Sequence, residues 1–399
     1  MDDHKVIQTG WSRLPSSAPD ALLGLIAQFR ADPRPHRIDL GVGVYKDESG
    51  HTPVFDAVKA AEQRLIETQT SKSYLGAEGD TVFVERLIPV IFGANSDRQR
   101  LTGLQTPGGT GALRLGADLL RLSRQGPARI HVGVPGWVNH TPLFQAAGLE
   151  IVEHSYVSST GTLAFDRVLA ALHQARRGDA VLIQASGHNP TGLDFSPAQW
   201  RQLADTLSHN GLIPFLDMAY QGLSQGLDAD AQGARLIFDA CPDALLAYSC
   251  DKNFGLYRDR VGALFVQSAR RSDLPAIAAT LTGLARVSWS MPPDHGAAVV
   301  RLILDTPALT AQWQAELTQM RERINGLREV LAEAHPFLRI VAHQSGMFSF
   351  LPLTPAQIAT LREDFAIYMA GSGRISLCGL NAGNMAHFVS AIASVTARE

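Results

Sequence analysis

Cysteine is scarce in this chain of 399 residues: Cys241, Cys250 and Cys378 are the only three. Thiols so few and so scattered make neither a disulfide framework nor a CxxC metal site, and they point to a reducing cytoplasm. A charge of one sign is lacking too. Lysine and arginine number 35 against 38 acidic residues, a net charge of -3. That balance gives no electrostatic case for nucleic acid or an anionic membrane surface. No apolar run approaches the roughly 20 residues of a membrane helix. The opening "MDDHKVIQTG" has no apolar core of the kind a signal peptide needs. Internal repeats and low-complexity segments are also missing. What remains is 45% hydrophobic and 18% charged, an ordinary globular composition long enough for two domains and a large core.

Three apolar runs, "AVLIQA", "LIPFLD" and "ALLAYS", begin at Ala180, Leu212 and Ala244, a constant step of 32 residues. That is about the length of a βαβ unit. Between the first two, Ser196 is placed to cap a helix with Pro197 in its first turn. Trp200, Leu203, Ala204 and Leu207 then form one apolar stripe. "AQGARLIFDA" gives a weaker helical pattern before the third run. Near-continuous apolar strands alternating with helices predict a mostly parallel sheet flanked by helices. "ARIHVGV" from Ala128 and "GALFVQ" from Gly262 read as further strands of it. The flanks differ: a short helix pattern and a Gly-rich extended piece at the start, then a long amphipathic helix and mixed elements at the end. The expected division is a large domain over 50–305 and a smaller α+β domain built from 1–49 with 306–399.

Ligands of an open parallel sheet bind beyond the carboxyl ends of its strands. "AVLIQA" leads to Asn189, "LIPFLD" ends in Asp217 with Tyr220 three residues on, and "ALLAYS" leads to Lys252 in "SCDKNFGLYRDRVGAL". "ARIHVGV" leads to Trp137 and His140. Taken singly, Asp217 could be a buried helix cap, and Tyr220 and Trp137 could be core. Together they converge on one rim. "TPGGTGALRLGADLLRL" adds a Gly-rich turn opening a helix, whose free N–H groups suit a phosphate. It has neither the lysine of a P-loop nor the GxGxxG spacing. A strand-end lysine, a carboxylate and a single phosphate pocket are the needs of pyridoxal phosphate.

The segments "GVGVYKDESGHTP", "SYLGAEG", "TPGGTGALR", "GHNPTG", "DMAYQG", "SCDKNFGLYRDRVGAL" and "GSGRISLCGL" resemble, in order, those of the aspartate and aromatic amino-acid aminotransferases, fold-type I pyridoxal phosphate enzymes. The likeness runs from about Pro19 to the C-terminus. It implies that Lys252 forms the Schiff base with the cofactor and then carries the proton between the substrate Cα and the cofactor. Asp217, supported by His140, would pair with the pyridine nitrogen. Asn189 and Tyr220 would contact the ring oxygen, and Trp137 would stack on the ring. Gly109, Thr110, Ser249 and Arg260 would hold the phosphate, with Tyr74 reaching it from the neighbouring subunit of a homodimer. Arg374 would take the substrate α-carboxylate and Arg286 a distal carboxylate across the interface. Trp137 and Asn189 would also line the substrate space, and Gly43 lies where the family closes over it. Pro135 and Pro190 match positions of cis peptides. No metal is implied.

The resemblance also has departures. Asp251 stands where a small residue is usual, Val138 where proline is, and Trp289 brings a large ring near Arg286. Asp251 would weaken cofactor binding unless its side chain points away. Trp289 could favour an aromatic substrate or simply pack. The wording around Lys252 is nearer the bacterial aromatic enzymes, which implies transamination of an aromatic amino acid, with aspartate overlap, to 2-oxoglutarate. The alternatives are an aspartate aminotransferase or a relative specialised for an unusual amino acid. A lyase or decarboxylase is disfavoured by the two substrate arginines, and a non-catalytic binding protein by the presence of Lys252 and Asp217.

Overall fold

The computed structural model describes residues 21–41, 43–94 and 99–397, with Trp11 and Leu14 before them. Most of the first 20 residues expected in the smaller domain, "MDDHKVIQTG" among them, lie outside the described residues. Eleven strands are formed among the described residues: β1 (Ile38–Asp39), β2 (Leu101–Pro107), β3 (Arg129–Val134), β4 (Glu150–Ser155), β5 (Ala180–Gln184), β6 (Ile213–Met218), β7 (Ala244–Ser249), β8 (Val261–Gln267), β9 (Phe348–Phe350), β10 (Ile367–Tyr368) and β11 (Arg374–Ser376). Seven of them make one sheet in the order β2-β8-β7-β6-β5-β3-β4. Only β8 runs against the rest, antiparallel to both β7 and β2.

Every residue of β5, β7 and β8 is buried, as expected for strands covered on both faces. Alternate side chains go to opposite layers. Val181, Ile183, Leu216, Met218 and Leu246 join one apolar cluster, while Ala180, Leu182, Phe215, Leu245 and Ala247 join the other. The second cluster is covered by the helix Gly108–Leu122, which buries Ala112, Leu113, Leu115 and Leu120. The first is covered by helices such as Pro197–Asn210. There Ser196 caps as the sequence predicts: its hydroxyl accepts from the Gln199 N–H, and the Gln199 side chain accepts from the Ser196 N–H.

The chain ends meet in a further layer. β1 pairs parallel with β10, and β9 pairs antiparallel with β11 in the register Arg374 to Phe350. The 28-residue helix Pro307–Ala334 runs beside both layers and supplies Arg328, a buried guanidinium that donates to the carbonyls of Val341 and Gly346 and to Ser349 Oγ. The loop after β5 and the loop before β9 touch through bare backbone. A Cβ built on Gly346 would lie 2.8 Å from the Gly187 Cα, and both residues hold positive φ. Asp194 fastens the same junction, accepting from Ser345 Oγ at 2.5 Å and from the N–H groups of Gly187 and His188. The three cysteines are buried and unpaired. No helix among the described residues is long and apolar enough to cross a membrane.

Candidate active site

The parallel register sets the rim. Gln184 of β5 lies opposite Asp217 of β6, which lies opposite Ala247 of β7. The segments leaving these three strands therefore emerge side by side. Asp217 is buried, and its Oδ2 lies 2.8 Å from His140 Nε2. The ring of His140 meets Trp137 edge-on at 5.1 Å, and Trp137 is half-buried against the second cluster. Asn189 is clasped by Gln184, which donates to its carbonyl and accepts from its N–H, both at 2.9 Å. Gln184 is a residue that sequence reasoning missed. Its one signal was a polar side chain closing an otherwise apolar strand. The cis peptides expected at Pro135 and Pro190 are present.

From Asn189 a line of contacts runs in two directions. Its Nδ2 donates to Tyr220 Oη at 3.3 Å, and the Tyr220 ring lies 5.4 Å below Lys252 Nζ. Its Oδ1 accepts from Arg374 Nη1 at 3.4 Å. Arg374 also donates to the Gly41 carbonyl at 2.5 Å and lies 4.8 Å above the ring of Phe348. Burial lowers the pKa of its guanidinium, and its Nε is buried without a partner. Gly43 faces the same ring, since a Cβ there would stand 3.8 Å from Phe348 Cζ. Phe348 is thus the floor under Arg374.

Lys252 follows β7 on a short turn that is held from behind. The carbonyl of Asn253 accepts from Trp313 Nε1 at 2.7 Å, and Phe254 stacks on the Trp313 ring at 4.3 Å. Because β8 doubles back along β7, pairing Ser249 with Gly262, Arg260 returns beside Ser249. Arg260 has φ 56°, an unusual backbone for a side chain of that size. Across from it starts the helix Gly108–Leu122, which no side chain caps. A Cβ on Gly108 would meet Arg260 Nη2 at 2.6 Å, and one on Gly109 would meet Ser249 Cβ at 3.0 Å. Only glycine leaves room here for bare N–H groups, an arginine and a serine to surround an anion. Thr110 occupies the next position of the same helix.

Two expected residues stand apart. Tyr74 is 93% exposed, and Arg286, exposed at the end of the helix Leu274–Ser288, donates to Ser290 Oγ at 2.7 Å. Among the described residues neither has a hydrogen bond, ion pair or ring contact with the groups around Lys252. Trp289 packs half-buried on the second cluster with its Nε1 unpartnered, while Val138 is 75% exposed. The side chain of Asp251 does not point away: it pairs with Arg260 at 2.5 Å.

The donor set fits pyridoxal phosphate. A lysine, a buried carboxylate backed by histidine, an aromatic ring and an uncapped glycine-lined helix start all open on one rim. Residues 35–392 match the family model for class I and II aminotransferases. The chain belongs to that family. This aminotransferase is 49% identical over 387 residues to the tyrosine aminotransferase of Rhizobium meliloti (strain 1021), covering 96% of this chain and 99% of that one. It is 42% identical to the aspartate aminotransferase of Escherichia coli (strain K12), over 95% of this chain and 98% of that one. Among solved structures, the aromatic-amino-acid aminotransferase of Burkholderia pseudomallei, covalently bound to pyridoxal phosphate, superposes with a TM-score of 0.94 at 37% identity, covering 97% and 99% of the two chains. The aminotransferase is a pyridoxal-phosphate-dependent enzyme of the fold-type I architecture expected from its sequence.

Two histidines beside the site carry a pH dependence. His188 stacks on Tyr156 at 4.0 Å and its Nδ1 lies 2.8 Å from Thr191 Oγ1. Burial pushes its pKa down to about 3, with His140 adding a smaller push, and burial pushes His154 down to about 4. Both values lie below the usual value of about 6.5, so between those limits the unfolded chain binds more protons than the folded one. The contribution of these two rings to stability is therefore complete above about pH 6.5 and falls on acidification, by up to about 1.4 kcal/mol per pH unit for each histidine. Burial raises the Asp230 carboxyl to about 6, which acts with the opposite sign in the same range. The test is therefore the difference in unfolding free energy between His188→Gln and the parent, which should shift in favour of the variant as pH falls from 7 to 5. A difference that does not change with pH over that range would contradict the buried neutral state of the His188 ring.

Proposed function

We propose that the aminotransferase passes the amino group of an aromatic amino acid, with aspartate as an overlapping donor, to 2-oxoglutarate in two half-reactions. The observation that carries this reading is the unbroken line from Lys252 through Tyr220 and Asn189 to Arg374. It sets a basic group at one end and a carboxylate-binding fork at the other, separated by polar groups that can orient a substrate between them. The names of the tyrosine and aspartate relatives support both donor classes. Rates for a panel of amino donors against 2-oxoglutarate test it, and a failure of tyrosine and phenylalanine as donors would remove the aromatic assignment.

In this reading Arg374 binds the α-carboxylate and turns Cα toward Lys252. Lys252 Nζ takes the Cα proton and returns it on the far side of the exchange, acting as general base and then general acid. The bound cofactor supplies an electron sink for the pair left at Cα. Asp217, held by His140, would face the ring nitrogen of the bound cofactor, and Tyr220 with Asn189 would hydrogen-bond its ring oxygen. Trp137 covers the ring face and Gly43 leaves room above the substrate. Gly109, Thr110, Ser249 and Arg260 hold the phosphate.

Tyr74 and Arg286 complete the site from a second copy of the chain, in a cytoplasmic homodimer with shared active sites. The exposure of Tyr74, Leu75 and Val287, at 93%, 42% and 82%, supports an interface there. The described residues of 1–49 and 306–399 form the smaller unit that closes over substrate bound to 50–305; the pairing of β1 with β10 supports that grouping.

Arg286→Ala separates the two donor classes. Truncating one side of a closed charge pair costs about 2–5 kcal/mol, or roughly 30- to several-thousand-fold in kcat/KM. That loss should appear with aspartate and 2-oxoglutarate. Phenylalanine makes no such pair, and its single-turnover rate should stay within a few-fold of the parent. Equal losses for both classes would make Arg286 structural.

A further inference from the structure

One group in the proposed phosphate cradle works against an anion. Asp251 directly precedes Lys252 and is 5% exposed. Its Oδ2 accepts from Arg260 Nη1 at 2.5 Å and lies 4.0 Å from Lys252 Nζ. Its Oδ1 is buried without any hydrogen-bond partner. Arg260 Nη1 is further engaged by the Tyr257 carbonyl at 3.1 Å. Both recorded bonds fall on Nη1, so the donor that faces the helix start is Nη2, the atom nearest a Cβ built on Gly108. The arginine of the cradle is thus already half-neutralised by a fixed carboxylate.

We propose that Asp251 is an internal competitor for the cofactor phosphate, drawing on Arg260 and setting how readily the cofactor leaves the protein. The proposal rests on the assignment of the phosphate to Ser249, Arg260 and the start of the helix Gly108–Leu122. A carboxylate and a phosphate dianion repel, and both require the same guanidinium. The aldehyde form of the cofactor has a covalent hold through Lys252. The amino form, pyridoxamine phosphate, has only the cradle and the ring contacts, so the competition is felt there. The consequence is an enzyme that exchanges its cofactor with solution in the amino form while retaining it in the aldehyde form.

Equilibrium dialysis of the full-length protein against pyridoxamine phosphate measures this without turnover. Asp251→Asn, which keeps the shape and removes the charge, should lower the dissociation constant about 10- to 100-fold, as expected of a close like-charge contact. Asp251→Ser should act in the same direction, and melting curves of both apoproteins establish that they fold. Arg260→Ala should raise the constant. Unchanged or weaker binding in both Asp251 variants, with Arg260→Ala still weakened, would overturn the competitor role and leave the cradle standing. If Arg260→Ala binds like the parent, the cradle assignment fails and the proposal falls with it.

Discussion

Lys252→Ala should abolish the lysine-linked absorbance of the bound cofactor and lower turnover by about 10⁴-fold, the upper range for loss of a positioned acid–base group. The side chain is 19% exposed and reaches the rim between Asp251 and the face of Tyr220. No other amine is placed near those groups among the described residues, so no neighbour can take over the proton. Cofactor should still bind, because Ser249, Arg260 and the helix start are untouched. Absorbance spectra and single-turnover rates of the loaded variant give both readouts. Turnover at the parent rate would remove Lys252 from the reaction.

Asp217→Ala should slow removal of the Cα proton by about 10²–10³-fold, the size seen when one preorganised electrostatic partner is lost from a dry site. Asp217 is buried and anchored twice. Its carboxylate meets His140, and its carbonyl accepts the Ala185 N–H at 2.9 Å. The backbone anchor survives substitution, so the variant should fold with its rim in register. Asp217→Asn keeps the hydrogen-bonding shape and loses the charge, so it separates the two contributions. Exchange of the substrate Cα hydrogen with deuterated water reports the step itself. An unchanged exchange rate in both variants would mean that no charge at this position assists the reaction.

Much of this geometry was legible from the chain because parallel strands of constant spacing put their ends in line. Asn189, Asp217 and Lys252 each follow an apolar run, and the register of Gln184, Asp217 and Ala247 brings those runs to one edge. The direction of β8 was not legible: an apolar run reads the same both ways, and only the pairing of Ser249 with Gly262 shows the reversal. That reversal is why Asp251 and Arg260 meet, a contact whose cost the motif could raise but whose geometry it could not supply. β2 and β4 escaped notice because "LTGLQTP" and "EIVEHS" mix polar with apolar residues at the half-buried edges of the sheet. Tyr74 and Arg286 are legible only through resemblance, since among the described residues Arg286 bonds Ser290 and neither side chain contacts the groups around Lys252.

The contact of Gly187 with Gly346 has a mechanical meaning. It joins the loop that carries Asn189 to the loop that leads into β9, the strand paired with Arg374. Side chains at such a seam would hold the two loops apart, whereas two bare backbones meet at a spacing that only glycine permits. The seam is a close-set joint, with Arg328 and Asp194 as the brackets that hold its two halves. A methyl group on either glycine would act as a shim. It would set the guanidinium of Arg374 farther from the asparagine it now touches, and, on the proposed role of that arginine, the grip on substrate would loosen with every residue of the chemistry intact.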